Sequence, residues 1–221
     1  MSGTSAADPS QEPQESGGAL AERWHAARWS VYAPVYDAIG GLTRTARRRS
    51  FEVLDLRPDE RLLIVGCGTG LDFEFVPPGV SVEAIDVSPA MARRAGRRAA
   101  ELLPAARVQV MDATSLDFPD AAFDAVVLHL ILAVLPAPAA CVAEVARVLR
   151  PGGRAAVLDK FVPGDGPPGR TRRVLDRATR VAATSITTCL EQLFEGGPLT
   201  IQRQEPSMLR GQFRLAWLRR E

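Results

Sequence analysis

The chain has 221 residues, of which 46% are hydrophobic and 24% are charged, and its formal net charge is +1. This length and apolar content can fill one hydrophobic core, so we expect a single domain. The balanced charge gives no reason to expect nucleic-acid binding, and the sequence shows neither an apolar run of eighteen residues nor a signal peptide. The preference for arginine over lysine is typical of a GC-rich bacterial genome, and we expect a cytoplasmic protein.

The N-terminal region divides into two segments of different composition. Residues 1–17 are rich in serine, proline, glycine and acids, which predicts a disordered tail. Residues 18–50 carry apolar residues at helical spacing and predict a helical cap packed on the domain. A second interpretation stays open, in which this cap also touches lipid. Trp24 and Trp29 suit a membrane interface, and a run of arginines could meet anionic headgroups: Arg44, Arg47, Arg48 and Arg49.

A glycine-rich turn follows the first predicted strand. The pattern predicts a helix at residues 47–56 and a buried strand at residues 62–65, and Gly66, Gly68 and Gly70 then end the strand. Alternating glycines let the backbone turn tightly and lie bare against a ligand. Their G-x-G-x-G spacing differs from the G-x-G-x-x-G of dinucleotide sites, and no lysine follows as in a phosphate-binding P-loop.

An acid ends the next predicted strand. Residues 71–76 predict a short helix, and the apolar run at residues 80–85 predicts a strand that ends at Asp86. In a doubly wound sheet, such a glycine turn and acid form a nucleoside site, because the acid can accept both ribose hydroxyls. Ser88 is placed to cap a helix at residues 89–103.

Polar residues stand at the carboxyl ends of three later strands. Asp112 ends one strand, His129 follows the next, and Asp159 and Lys160 follow the third. The carboxyl ends of parallel strands are where open α/β sheets place their chemistry. The pattern predicts these further elements: strands at residues 108–111, 125–128, 155–158, 199–203 and 212–218, and helices at residues 136–149, 170–183 and 185–194.

Four successive segments resemble the motifs of class I S-adenosylmethionine-dependent methyltransferases: VGCGTG, AIDVSPAM, MDATSLDFPDAAFDAVV and EVARVLRPGGRAAVLD. The resemblance covers about residues 54–161 and implies a methyltransferase domain at residues 51–221. Its implied fold is α/β, a three-layer Rossmann-like arrangement of a seven-stranded, mostly parallel sheet with a C-terminal antiparallel hairpin. One departure is that this family often has an acid two residues before the first glycine, where this chain has Ile64.

The resemblance implies S-adenosyl-L-methionine as the cofactor and assigns residues to it. Asp86 would hold the ribose, Asp112 would accept a hydrogen bond from the adenine amine, and the Ala113 amide would serve a ring nitrogen. A strand-ending Asx-turn stays open as the alternative for Asp112. The implied cofactor residues are Tyr36, Gly66, Cys67, Gly68, Gly70, Asp86, Val87, Met91, Asp112, Ala113 and His129.

Two short features are similar to bacterial phosphatidylethanolamine N-methyltransferases: His129 after its strand, and the polar-polar-Phe sequence at residues 159–161. The YAPVYD segment resembles the part of small-molecule methyltransferases that closes over cofactor, so Tyr32 joins His129 as a catalytic candidate. An amine acceptor must arrive unprotonated, and a neutral His129 could take its proton directly or through a water. A structural histidine is the alternative, and Asp159 and Lys160 could either orient a polar head or be solvated.

Three functions therefore stay open. The first is a methyltransferase acting on a small molecule or on a phospholipid amine headgroup with peripheral contact to anionic membrane; a soluble quinone or natural product is the alternative acceptor. The second is a nicotinamide-dependent enzyme, which the glycine spacing disfavours, and the third is a cofactor-binding module without turnover. A sulfonium carries its own electrophilic methyl group, so we expect no metal. The cysteines fit no metal or disulfide pattern: Cys67, Cys141 and Cys189.

Overall fold

The computed structural model describes residues 41–161, 190–208 and 213–221, and the structural statements below refer to these ranges. The predicted tail at residues 1–17 and most of the predicted cap, with Tyr32 and Tyr36, lie outside the described residues. The helix predicted at residues 170–183 also lies outside them.

Helix α1 covers residues 41–54, starting before the helix predicted at residues 47–56. The boundary that the sequence places at residue 50 falls inside this helix. One face of α1 is buried, and its members recur every three or four residues, as expected for a helix packed along one side. They are Thr43, Ala46, Arg47, Ser50, Phe51 and Leu54.

Seven strands form one sheet. They are β1 (Arg61–Val65), β2 (Ser81–Asp86), β3 (Arg107–Val110), β4 (Phe123–His129), β5 (Leu149–Lys160), β6 (Leu199–Pro206) and β7 (Phe213–Arg220). Their order across the sheet is β3-β2-β1-β4-β5-β7-β6. The first five strands pair in parallel, whereas β7 pairs antiparallel with both β5 and β6. The mostly parallel seven-stranded sheet and its C-terminal antiparallel hairpin are confirmed.

Helices cover both faces of the sheet. Helix α2 (Pro89–Leu102) packs with α1 on one face, and α3 (Pro138–Val148) packs with α4 (Leu190–Phe194) on the other. Side chains of β1 alternate between the two cores, with Leu63 and Val65 in the α3 core and Leu62 and Ile64 in the α2 core. This is the three-layer arrangement that a two-sided parallel sheet requires.

Two elements differ from their predictions. The helix predicted at residues 71–76 is a single 3₁₀ turn, Phe73–Phe75. The Arg-Pro-Gly-Gly stretch at residues 150–153, between the helix predicted at residues 136–149 and the strand predicted at residues 155–158, lies inside β5, where it forms a bulge. Phe123 and Ala125 of β4 pair with Leu149 and Arg154, so β5 has four residues between these partners where β4 has one. Such bulges let a strand bend while both of its ends stay paired.

The sheet topology fixes where a ligand can bind. Strand β1 lies between β2 and β4, so the strand order reverses beside it. Loops from the two neighbouring strands diverge at such a reversal and leave a crevice at the carboxyl ends. The glycine turn after β1, Asp86 at the end of β2 and His129 at the end of β4 all face this crevice.

Candidate active site

A cavity of about 340 Å³ lies at the carboxyl ends of the central strands. The resemblance implied a set of cofactor residues, and nearly all of those within the described ranges line this cavity. They are Gly66, Cys67, Gly68, Asp86, Val87, Met91, Asp112, Ala113 and His129. Gly70 does not line the cavity. It is buried with a φ of +81°, and an added Cβ would lie 2.6 Å from the Phe73 ring, so this glycine serves the packing of the turn.

Gly68 is the glycine of the turn that has open space beside it in the cavity. Its φ is +56°, and an added Cβ would meet no heavy atom within 4 Å. Gly66 is different, because a Cβ there would lie 2.4 Å from Cδ1 of Ile131. The backbone at Gly68 is therefore the part of the turn that can lie directly against a ligand.

Asp86 joins the glycine turn to the start of α2. Its Oδ2 accepts a hydrogen bond from the Gly68 N–H at 2.9 Å, and its Oδ1 accepts one from the Ser88 N–H at 2.8 Å. Burial raises the pKa of Asp86 above its ordinary value, and the two N–H donors oppose this shift. Each carboxylate oxygen has a second lone pair, so Asp86 can hold the turn and still accept the two hydroxyls of a ribose.

Ser88 caps α2 as predicted. Its side chain accepts a hydrogen bond from the N–H of Met91, and Pro89 follows at the first helical position. This cap places Met91 on the cavity wall beside Val87. The local sequence therefore sets the position of two apolar residues that can contact the nucleoside.

The geometry of Asp112 is compatible with both of its interpretations, an Asx-turn and a contact to a ligand. Its Oδ1 accepts hydrogen bonds from the N–H and the hydroxyl of Thr114, at 2.7 and 2.8 Å, which is the geometry of an Asx-turn. Oδ2 has no hydrogen-bond partner among the described residues, and Asp112 lines the cavity. The turn thus orients the carboxylate, and its second oxygen can accept from a ligand amine.

A buried polar network lies under the opposite end of the cavity. Asp72 Oδ1 accepts from Arg47 Nη1 at 2.7 Å and lies 2.7 Å from His129 Nδ1. The other ring nitrogen of His129, Nε2, is 2.9 Å from Ser50 Oγ. All four residues are at most 5% exposed. Burial alone would raise the pKa of Asp72, but Arg47 and His129 outweigh it and hold that pKa well below its usual range.

The protonation state of His129 follows from its partners. Burial lowers the pKa of His129, and Asp72 only partly opposes that shift, so the ring is neutral near pH 7. An ionised Asp72 can only accept, so Nδ1 carries the ring proton and Nε2 accepts from the Ser50 hydroxyl. Both nitrogens are therefore engaged within the protein. His129 lines the cavity, but in this arrangement it offers no unshared lone pair to a ligand.

Asp159 is not placed to orient a substrate head, contrary to that interpretation of the sequence. It is 2% exposed, does not line the cavity, and accepts from the N–H groups of Ala133 at 3.2 Å and Lys160 at 2.7 Å. Burial raises the pKa of Asp159 to about 6 despite these donors. The bond to Ala133 fixes the loop after β4, whose Ile131 and Val134 form the apolar wall of the cavity.

Two residues of the network were missed or misplaced by sequence reasoning. Arg47 was grouped with arginines that could meet lipid headgroups, yet it is 5% exposed and lines the cavity. Its position in the buried stripe of α1, one turn from Thr43 and Ser50, was the available signal. Asp72 had no such signal, because nothing local indicates that an acid after the glycine turn contacts α1.

The arrangement fits an adenosine-containing ligand. One end of the cavity has acid oxygens for hydroxyl and amine donors, the middle has a bare glycine backbone, and the walls are apolar. Cys67 also lines the cavity, and burial, with Asp86 and Asp72, raises the pKa of its thiol well above the ordinary value. It is therefore a neutral side chain and not a nucleophile.

Comparison with known proteins identifies the family. A family model described as a methyltransferase domain matches residues 63–157. Over 188 residues the chain is 32% identical to a phosphatidylethanolamine N-methyltransferase of Cereibacter sphaeroides, a match that covers 84% of this chain and 91% of that protein. The chain belongs to the class I S-adenosylmethionine-dependent methyltransferases. The resemblance read from the sequence is confirmed, and S-adenosyl-L-methionine is the cofactor of this methyltransferase.

Other relatives of this methyltransferase differ in their acceptors. A demethylmenaquinone methyltransferase of Beutenbergia cavernae is 36% identical over 58% of this chain, and the match spans about half of that protein. Among solved structures, the geranyl diphosphate C-methyltransferase of Streptomyces coelicolor A3(2) aligns with a TM-score of 0.66 at 18% identity, covering 80% of this chain and 76% of that chain. The [4+2]-cyclase SpnF aligns with the same TM-score at 23% identity, covering 78% and 81%. The shared fold alone therefore does not define an acceptor.

Proposed function

We propose that this methyltransferase transfers a methyl group to the amine nitrogen of a phosphatidylethanolamine headgroup. The observation that carries the proposal is the extent of similarity to the phosphatidylethanolamine N-methyltransferase of Cereibacter sphaeroides, which continues over 91% of that protein. The quinone-modifying relative from Beutenbergia cavernae matches over 52% of its length. Similarity that extends beyond the cofactor-binding half favours a shared acceptor class.

The described residues have two proposed functions in the reaction: they bind the cofactor and they align the nucleophile. Asp86 would hold the ribose, Asp112 and Ala113 the adenine edge, and Gly68 the backbone contact between them. When bound, S-adenosylmethionine supplies an electrophilic methyl group on its sulfonium. The protein then has to align the nucleophile and exclude water, and the apolar wall with Ile131 and Val134 suits that task. Tyr32 and Tyr36 are proposed to complete the site from the N-terminal segment.

The amine that receives the methyl group must lose a proton, and His129 is the proposed general base. Its ring is neutral because burial lowers its pKa. To take a proton at Nε2, the ring must first lose the hydroxyl proton of Ser50 as its hydrogen-bond donor, which a rotation of that hydroxyl achieves. Replacing His129 with Gln should lower kcat by 10² or more at saturating cofactor. An unchanged kcat in a folded variant would exclude this proton route.

Contact with an anionic membrane surface is part of the proposal. Arg48 is exposed on α1, as is Arg44, which pairs with Glu74, and Leu42 beside them is 74% exposed. Arg47 no longer belongs to this surface because it is buried. None of the helices within the described ranges is both long and apolar enough to cross a bilayer. Binding to vesicles should therefore be peripheral and should weaken as salt screens the charges.

A soluble quinone or natural product is the alternative acceptor. A nocamycin O-methyltransferase of Saccharothrix syringae is 36% identical over 59% of this chain, and the match spans 49% of that protein. The apolar cavity wall would suit a flat ring as well as a lipid amine. Labelled methyl transfer into a bacterial extract, separated into lipid and aqueous fractions, tests the two classes. Label in the lipid amine fraction supports the proposal, whereas label confined to quinones or aqueous products overturns it.

A further inference from the structure

Helix α2 has a strongly basic exposed side that the cofactor site does not use. The helix carries four arginines and one acid, Glu101. Arg93 and Arg97 are exposed, and neither is in an ion pair with an acid among the described residues. Because the net charge of the whole chain is only +1, acids elsewhere balance these cations. The charges of the molecule are therefore segregated, and α2 lies on its positive side.

The basic side of α2 continues onto α1 across a single acid. Glu74 lies in the 3₁₀ turn, and Arg44 Nη2 of α1 lies 2.6 Å from its Oε2. The bond from Arg44 holds the pKa of Glu74 below its ordinary value against desolvation, and the charges of Arg48 and Arg98 add to this effect. One acid therefore faces cations from both helices. We call this surface the α1–α2 face, and its arginines are Arg44, Arg48, Arg93, Arg97 and Arg98.

The α1–α2 face adjoins the cavity. Helix α1 leads into the amino end of β1, and α2 starts after the carboxyl end of β2, so both helices begin at the edge of the sheet that holds the cavity. Arg47 of α1 and Met91 of α2 line the cavity. Arg48 follows Arg47 directly, and Arg93 is two residues from Met91. A flat anionic surface that meets this face therefore comes close to the cavity.

We propose that the α1–α2 face docks the protein onto an anionic lipid bilayer, with α2 as the main source of its positive charge. This inference rests on the proposed function and deepens it, because it adds a second helix to the membrane contact and states which side of the molecule faces the bilayer. Each arginine close to an anionic bilayer strengthens binding, and a helix with a basic exposed side can bind at the interface without crossing it.

An exposed apolar residue favours a bilayer over a nucleic acid as the partner of this face. Leu42, in the first turn of α1, is 74% exposed and lies two residues from Arg44. At a bilayer, such a side chain can bury itself in the acyl boundary while its basic neighbours contact headgroups. The phosphate backbone of a nucleic acid offers charge but no apolar layer. The combination of cations and an apolar residue therefore fits a lipid surface.

Co-sedimentation with vesicles tests the proposal. The vesicles are phosphatidylcholine alone or phosphatidylcholine mixed with phosphatidylglycerol, at low salt. The double variant Arg93→Gln with Arg97→Gln should bind the anionic vesicles about tenfold or more weakly than the wild type. The matched control is Arg57→Gln with Arg107→Gln, which removes the same charge from exposed positions at the amino ends of β1 and β3. It should bind within about twofold of the wild type, because salt screens distant charges.

The outcomes separate the docking surface from the proposed acceptor. Both double variants should bind S-adenosylhomocysteine like the wild type, which shows that they are folded. The proposal is overturned if the wild type does not sediment with anionic vesicles, if it binds neutral vesicles equally well, or if the α2 variant binds like the control. Tighter binding to double-stranded DNA than to anionic vesicles would also overturn it.

Methylation of a short-chain phosphatidylethanolamine, kept below its micellar concentration, tests the acceptor without a bilayer. The α2 variant should keep wild-type activity toward this monomeric lipid while its binding to vesicles is weakened. A loss of that activity equal to the loss of vesicle binding would contradict a docking function for α2. If neither the wild type nor the variant methylates the monomeric lipid, the proposed acceptor fails and the vesicle result still decides the docking surface.

Discussion

Asp86 Oδ2 accepts the backbone N–H of Gly68 at 2.9 Å, so the acid that ends β2 directly holds the glycine turn that follows β1. The same carboxylate accepts the Ser88 N–H at the start of α2. These contacts tie two walls of the cavity together. Loss of Asp86 should therefore affect both the ribose contact and the shape of the turn.

The Asp86→Ala variant should bind S-adenosylhomocysteine tenfold to a hundredfold more weakly than the wild type. A hydrogen bond to a charged group contributes about 1.5–3 kcal/mol, and about 1.4 kcal/mol corresponds to a factor of ten. Titration calorimetry measures this change. Asp117→Ala, an exposed acid outside the cavity, is the control and should keep wild-type affinity. Wild-type affinity in Asp86→Ala would remove the ribose assignment.

Gly68→Ala should weaken cofactor binding by at least tenfold, because the new methyl group enters the cavity where the backbone now lies bare. Gly196→Ala is a matched control. Gly196 has a φ of +69° and open space around an added Cβ, but it lies outside this cavity. Both variants should lose about 1–2 kcal/mol of stability from the left-handed backbone. Equal cofactor affinity in the two variants would mean that Gly68 serves the turn alone.

Because the Arg47–Asp72 pair is buried, removing one of its partners should destabilise the protein far more than breaking the exposed Arg44–Glu74 pair does. Asp72→Ala leaves the Arg47 charge buried without its partner and should lower the free energy of unfolding by about 3–5 kcal/mol. Glu74→Ala removes an ion pair with Arg44 of similar length, 2.6 Å, at an exposed position and should cost at most about 1 kcal/mol. Urea unfolding measures both, and similar losses in the two variants would contradict the role assigned to burial.

Local signals in the sequence predicted the elements at one end of the cavity well. The glycine turn, the strand ending at Asp86 and the Ser88 cap each depend on residues within a few positions of one another. The seven-stranded, mostly parallel sheet with its C-terminal antiparallel hairpin came from the resemblance to a family and is confirmed. Periodicity alone could not have provided it, because pairing between distant strands leaves no local pattern.

The buried network could not be predicted in the same way. Arg47 lies among arginines that face solvent, and only the fold brings it to Asp72, which is 25 residues away in sequence. His129 was predicted from its strand end, but its partner Ser50 is 79 residues away. Asp159 was predicted either to orient a polar head or to be solvated, whereas it is buried and bonds to the loop after β4. Each of these outcomes depends on tertiary packing.

Asp159 should make the protein less stable as pH rises. Burial raises the pKa of Asp159 from 3.8 to about 6, so the folded state binds more protons than the unfolded state between these values. Stability therefore falls as pH rises through this window. From pH 4 to pH 7 the wild type should lose about 2 kcal/mol relative to Asp159→Asn, whose side chain does not titrate. A difference between the two proteins that stays constant with pH would contradict this.

Methyl transfer to a defined lipid tests the central claim most directly. The purified protein is incubated with methyl-labelled S-adenosylmethionine and vesicles of phosphatidylethanolamine mixed with an anionic lipid, and the extracted lipids are separated. We predict label in N-methylated phosphatidylethanolamine, with Asp86→Ala strongly reduced at low cofactor concentration and Asp117→Ala unaffected. Binding of S-adenosylhomocysteine without any label in the lipid fraction would contradict the proposed acceptor.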